Sequence, residues 1–421
     1  MTRTMRLAMS VVALLFVVAC SPSIEQQQTA PTKETETAPP TPAPKVVEPP
    51  KPDPAQAKWE TYHGPASLDG FSNDVLPDTL SVMWKVDLGS SILNPPVIGN
   101  GRVCVADSKG TIHAFDLAGK PLWSKTFEEP TQPGRPARHA SFDAPLALFD
   151  STLIACTANG VVYALNVETG DTRWECDTEW PILGTPNVAT VQTPDGPRKS
   201  IFVIDESEGG LQCIDFETGA KRWKGDSVAR CDGSPAVNET MAVYGSCACA
   251  IHIFSTETGK LLRDVPLDED SQIAGGVVLL GDSIYSGSRS GIFIHVNAKT
   301  GETIWTNKDC TGESFSTPAV SDDRIVFSAN DATLYALDRK TGVSQWRKKM
   351  DDTPSSPVIA KEKVLVTADG TVYLLRLSDG ETIWSFDISD EVSSPSIAAS
   401  LVFVGGDDGT LTAFGQKTGD Q

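Results

Sequence analysis

Positive charge is scarce in this 421-residue chain. It carries 35 Lys and Arg against 55 Asp and Glu, a formal net charge of −20, so nucleic-acid backbones and anionic lipid surfaces are repelled rather than bound. Long apolar runs are also missing. The nearest approach, Leu7 to Val18, falls short of the ~20 residues a mature spanning helix needs. No H-E-x-x-H, no Gly-rich phosphate loop and no Ser-His-Asp ordering occurs, which removes the usual signatures of zinc peptidases, nucleotide hydrolases and serine hydrolases. The 9 cysteines include no C-x-x-C pair, so a zinc ribbon is excluded as well.

What the chain has in abundance is repetition. Residues 317 to 346, TPAVSDDRIVFSANDATLYALDRKTGVSQW, read as four short strands. An entry strand opens at Thr317-Pro318, a second runs from Arg324 to Ser328, and a polar turn follows at Asn330-Asp331. A third strand runs from Thr333 to Asp338, and a Thr-Gly turn leads into a last strand carrying Trp346. The Gly-x-x-x-Trp ending recurs as Gly119 with Trp123, Gly170 with Trp174, Gly219 with Trp223, Gly301 with Trp305 and Gly380 with Trp384. Gly259 with Arg263 keeps the spacing without the ring. A further copy, from Ser394-Pro395, stops at Gly419 before a fourth strand. The stretch SVMWKVDL, residues 81 to 88, ends like a unit and has no three strands ahead of it. A period of roughly 40 to 50 residues is one propeller blade, and a borrowed strand is how such rings close. The expected fold is all-β: an eight-bladed β-propeller of four-stranded antiparallel blades, with the strand around Trp84 completing blade eight.

Each unit has a physical rationale. The turn Gly supplies a positive φ, while Asp116, Asp215, Asp338, Asn166 and Asn297 accept hydrogen bonds from turn amides. Trp84, Trp123, Trp174, Trp223, Trp305, Trp346 and Trp384 are expected to dock between blades, each contributing at most roughly 2 to 5 kcal/mol. Arg263, Ser255 and Arg376, which break the pattern, are expected to mark weaker blades.

The first 57 residues follow other rules. Arg3 and Arg6 precede the apolar run, and Val17-Val18-Ala19-Cys20 closes it, so residues 1–19 read as a signal peptide. The closing residues resemble a bacterial lipobox, which implies lipidation of Cys20. Ser21 after it implies transfer to the outer membrane, facing the periplasm. Ten of residues 21 to 57 are proline with almost no large apolar side chain, so this stretch cannot build a core, and residues 20–57 read as a tether. The propeller is expected over 58–421.

No catalytic, cofactor or metal site emerges. Cys104, Cys156 and Cys213 fall within strands, as small buried thiols would, while Cys247-Ala-Cys249 falls at a turn. Eight cysteines besides Cys20 allow 105 pairings, and nothing selects one. His113 and His252 align with Tyr163, Tyr335 and Tyr373, where a planar side chain recurs; His295 lies one position further along. The longest loop between blades, Glu128 to Asp143, carries Arg135, Arg138, His139 and Phe142. The next carries the apolar run Trp180-Pro181-Ile182-Leu183. Arg and Trp favour interfaces, so Arg135, Arg138, Phe142 and Trp180 are the candidate partner-binding residues. The insertion TPDGPRKS, residues 193 to 200, is expected to be a plain surface loop on the opposite face.

The motif A-x-D-x-x-T-G-x-x-x-W, as in ALDRKTGVSQW, ALNVETGDTRW and CIDFETGAKRW, resembles the repeat of the pyrroloquinoline quinone (PQQ)-like eight-bladed propellers over about residues 59 to 419. WETYHGPASLDGFS also resembles the opening of many bacterial members. Two branches of that family imply different roles. BamB-like lipoproteins imply a non-catalytic, lipid-anchored envelope scaffold, monomeric, in contact with the outer-membrane β-barrel assembly machinery. Quinoprotein dehydrogenases imply a quinone- and calcium-dependent oxidoreductase, yet this chain lacks their vicinal Cys-Cys pair and covering insertions. The scaffold is the expected function, the oxidoreductase or a ligand-sensing propeller the alternative.

Overall fold

A computed structural model describes residues 57–129 and 138–417. Among these residues there is no helix, and the strands form eight sheets. Blade 6 shows the unit: Ala319–Val320 nearest the axis, then Arg324–Ala329, Thr333–Asp338 and Ser344–Lys349 at the rim. Burial follows that order. The two middle strands are almost wholly buried while the rim strand alternates between half-buried and exposed, as one solvated sheet edge requires.

The third turn is built as its residues dictate. Asp338 Oδ1 accepts hydrogen bonds from the Thr341 amide at 2.8 Å and the Thr341 hydroxyl at 2.7 Å, and Gly342 sits at φ +72°, a conformation costly for other residues. In every blade the register slips by one residue just before the Trp position. This bulge turns the rim side chain toward the next blade. Trp346 Nε1 then donates to Leu377 O at 2.8 Å, and the ring lies under Gly380, where a Cβ would stand 2.7 Å from it. Trp84, Trp123 and Trp174 repeat the bond and the glycine lid; Trp223 and Trp305 keep the lid alone.

The irregular positions hold their joints by other means. Arg263 Nε donates to Lys299 O at 2.8 Å, making the bond of a Trp without its ring. Arg376 pairs with Asp379 and Glu381, and Asp379 takes over the turn amide of Glu381 at 3.0 Å. Ser255 accepts the Thr258 amide at 3.3 Å.

Ser81–Asp87 closes the ring against Thr410–Gly415, with Trp84 opposite Ala413. Apolar side chains cluster between neighbouring blades rather than in one centre, and the largest cluster spans the closure, joining Ile98, Val358, Ile397 and Phe414. One expectation is corrected. Residues 193 to 200 are not a loop: Asn187–Thr193 and Gly196–Ile204 form a long hairpin, because the alternation of the strands runs through the polar insertion and leaves only Pro194-Asp195 to turn.

The axis holds a feature that no repeat announces. Residues 59 to 74 wind past the inner strands of all eight blades in order. Trp59 exchanges backbone hydrogen bonds with Ile98 at 2.8 and 2.9 Å; Leu148 N then donates to Glu60 O, Val237 N to Ala66 O, and Leu279 N to Ser67 O. Val320 N donates to Asp69 O at 2.7 Å and Ile359 N to Gly70 O at 2.8 Å. Asn187 reaches Ala66 O with its side chain, and Ser400 N donates to Asp74 Oδ1. The inner strands are buried edges whose outward amides need partners, and the carbonyls of this strap supply them. Phe71–Ser72 even adds a short parallel strand to blade 7.

Candidate functional site

Loops between blades and the second turn of each blade share one face, here the loop face. Backbone bonds knit them together: Phe127 N donates to Gly110 O, Ala158 N to Ser141 O and Glu206 N to Pro181 O, each near 2.9 Å. The strap contacts the inner strands toward their first turns, on the side away from this face.

The predicted contact residues separate by burial. Arg135 lies outside the described residues. Arg138 is exposed at the foot of its loop, where its carbonyl accepts the Glu129 amide at 2.8 Å. Phe142 does not face outward. It is 6% exposed and meets Phe127 edge-on at 5.5 Å, because the loop folds back and Asn94 holds the Phe142 carbonyl at 2.8 Å. Ile182 is likewise fully buried. Trp180 is partly buried, with the Lys224 ammonium 5.2 Å above its ring, and Lys224 also pairs at 3.0 Å with the buried Asp205. The second turn of blade 2 lies between the two loops: Ala158 N donates to Ser141 O of one, and Gly160 packs against the backbone of Trp180 in the other.

Other residues of this face were not anticipated. Phe315 is 45% exposed with the Arg289 guanidinium 5.3 Å from its ring centre, and Leu93 is 50% exposed. Both lie in entry loops before a Pro, outside any strand alternation, the one signal that would have found them. Arg230 bridges Glu206 and Asp232. Cations stacked on or beside rings, in an otherwise acidic surface, give the face the composition of a protein-contact surface.

The thiols and imidazoles are dispersed. Cys104, Cys156, Cys176, Cys213, Cys231 and Cys310 are buried and free, and Cys247 and Cys249 are partly exposed and free. Burial pushes the Cys104 and Cys231 thiols up to about 12 and Cys213 to about 11, so they stay protonated and pack as small apolar groups. His113 contacts Asp107 at 3.1 Å, and His252 bridges Ser246 and Asp264. His63, in the strap, is fully buried with its two ring nitrogens 2.8 and 2.9 Å from the carbonyls of Leu68 and Pro357. Among the described residues no group of three His, Cys, Asp or Glu is placed to hold a metal ion.

A family model described as outer membrane protein assembly factor BamB matches residues 77–260, 248–374 and 352–421. The BamB of Shewanella oneidensis is 24% identical over 326 residues, covering 72% of this chain and 78% of its own length. Among solved structures, BamB from Moraxella catarrhalis superposes with a TM-score of 0.66 at 19% identity, over 80% of this chain and all of that one. The quinohemoprotein alcohol dehydrogenase of Comamonas testosteroni superposes with a TM-score of 0.69 at 14% identity, over 87% of this chain and 82% of that one. At such identities these superpositions speak for the fold alone.

Proposed function

Since the chain belongs to the family of outer membrane protein assembly factor BamB, we propose that it is a non-catalytic scaffold of the cell envelope serving outer-membrane β-barrel protein assembly. The observation that carries this reading is the family match, which runs through the blades from residue 77 to 421. It joins a relative of the same name that is similar over most of both chains. The dehydrogenase likeness concerns fold, and no second reading follows from it.

In this proposal residues 1–19 are removed as a signal peptide, Cys20 carries the lipid, and the proline-rich residues up to 57 tether a monomeric propeller to the outer membrane, on its periplasmic side. Arg135, Arg138 and Trp180 are its docking residues, supported by the exposure of Arg138 and the partial exposure of Trp180 on the loop face.

Photo-crosslinking side chains placed at 138 and 180 in intact envelopes test the docking role. Adducts with the outer-membrane assembly barrel are expected from both, and far fewer from Val343, an exposed residue of a rim turn on the other face. Equal yields from all three positions would remove the patch, and the double change Arg135→Glu with Trp180→Ala should lower capture of the partner. Cys20→Ser should move the protein from the membrane fraction to the soluble one.

A further inference from the structure

Five blades place a ring at one register position of the third strand: His113, Tyr163, His252, Tyr335 and Tyr373. Each lies opposite the residue that follows the Trp position on the rim strand, as His113 does to Ser124 and Tyr373 to Ser385. In three of them the ring fills the joint with the blade before. Tyr163 meets Phe127 at 4.9 Å, the Tyr335 hydroxyl contacts Thr311, and the Tyr373 hydroxyl donates to Asp351 at 3.3 Å.

Blade 5 departs from this. Ile294 occupies the position, opposite Thr306, because the ring has moved one place along the strand, where His295 stacks on Tyr285 at 4.4 Å. The facing blade 4 is also the one with Arg263 in place of Trp. Between blades 4 and 5 there is a cavity of about 230 Å³, open to solvent, walled by Leu267, Ile292, Ile294 and Thr306, with Asp268 and Lys308 among its lining residues.

The mouth keeps the chemistry of one filled joint, that between blades 6 and 7. Leu267 N donates to Cys249 O and Met350 N to Ala332 O, each at 2.8 Å, so Asp268 stands in blade 4 where Asp351 stands in blade 6. Asp351 accepts a tyrosine hydroxyl from its own chain; Asp268 has only a loose contact to Lys308 at 3.8 Å. The cavity is smaller than the roughly 300–1,000 Å³ typical of whole-cofactor and drug sites. It matches a single side chain.

We propose that this cavity is a binding site for a p-hydroxyphenyl group, the side chain of a tyrosine presented by a partner polypeptide. The ring lies against Leu267, Ile292 and Ile294, and the hydroxyl donates to Asp268. The site lies between blades 4 and 5, away from the loop patch of blades 1 to 3, and stands independently of the scaffold reading.

The test is methyl NMR of the isoleucine-labelled protein titrated to on the order of 10 mM with N-acetyltyrosinamide, N-acetylphenylalaninamide, N-acetylleucinamide and p-cresol, a range suited to ligands of so few atoms. The Ile292 and Ile294 methyls are expected to shift with the tyrosine amide about threefold or more tighter than with the phenylalanine amide, and not with the leucine amide. Asp268→Ala, a change at an exposed residue that removes the acceptor, should abolish the Tyr-over-Phe preference. Ile294→Tyr, which restores the residue of the sister blades, should abolish the Ile292 response. Methyls unmoved by the tyrosine amide would overturn the site, as would a response that survives Ile294→Tyr. A preference surviving Asp268→Ala would overturn the assigned hydroxyl contact, and binding of p-cresol without the tyrosine amide would overturn the polypeptide source.

Discussion

At the rim, the joint between blades 6 and 7 is one Trp ring beneath one glycine with one hydrogen bond, and near-copies of it recur around the ring. At the axis, a single segment from Trp59 to Asp74 meets every blade and has no copy. Loss of a rim contact leaves the other joints in place, as blade 4 already demonstrates with Arg263. A lost strap contact, by contrast, bares amides on buried edges that nothing else covers. Repetition gives the rim tolerance, and uniqueness makes the axis the sensitive part.

The largest effect is therefore expected at the strap. Trp59 is 2% exposed within the closure cluster, and Trp59→Ala should cost about 3–5 kcal/mol of unfolding free energy, measured by denaturant titration. Gly70→Ala should be comparably damaging, since φ is +60° and the new Cβ would stand 2.2 Å from the His63 ring. A strap variant no less stable than a rim variant would break the comparison.

The rim should respond more mildly. Trp346→Ala should cost about 2–3 kcal/mol, from a half-buried ring and one hydrogen bond, and Arg263→Ala less than that because only the bond is lost. Equal losses at 346 and 263 would show that the rings add nothing to the joints.

The smallest effect is one of pH. Burial lowers the affinity of His63 for a proton, against its two carbonyl contacts, and burial followed by the nearby Arg339 charge lowers His295 to about 4. A folded value below the unfolded one, about 6.5, means the unfolded chain binds more protons as the pH falls. Stability is then fully present above about pH 6.5 and declines toward pH 4. Asp69, raised by burial, acts in the opposite sense, its ionisation cost being relieved in acid. Denaturation midpoints at pH 7 and pH 5 should differ less in His295→Gln than in the unchanged protein; an identical difference would leave the axis, through His63, as the acid-sensitive region.

The regular parts of this molecule could be read from the chain because each is written several times. Gly342 and Trp346 alone would be a turn and a ring, but six spaced Trp residues and an unmatched Trp84 specify a ring and its closure. Asp338, Asn166 and their counterparts declared their turns by side-chain chemistry that acts over three residues. The strap was legible only as a sequence that does not repeat, since WETYHGPASLDGFS has neither strand alternation nor a counterpart in the chain. Phe142 looked like a surface anchor because it lies in a loop, and only the folding back of that loop buries it. Ile294 was visible as a displaced ring in blade 5. The cavity it leaves was not, because a gap belongs to two strands from different blades.

The amino-acid sequence by itself determined the strand unit, its number and the strand that closes the ring, because those depend on alternation, turn residues and spacing within short stretches of chain. Tertiary structure alone decided that residues 59 to 74 line the axis, which loop residues face solvent, and where two neighbouring blades fail to fill their joint. These are contacts between segments tens to hundreds of residues apart, such as Ser400 with Asp74. Local propensity carries no record of such distances, so they take shape only when the ring has closed.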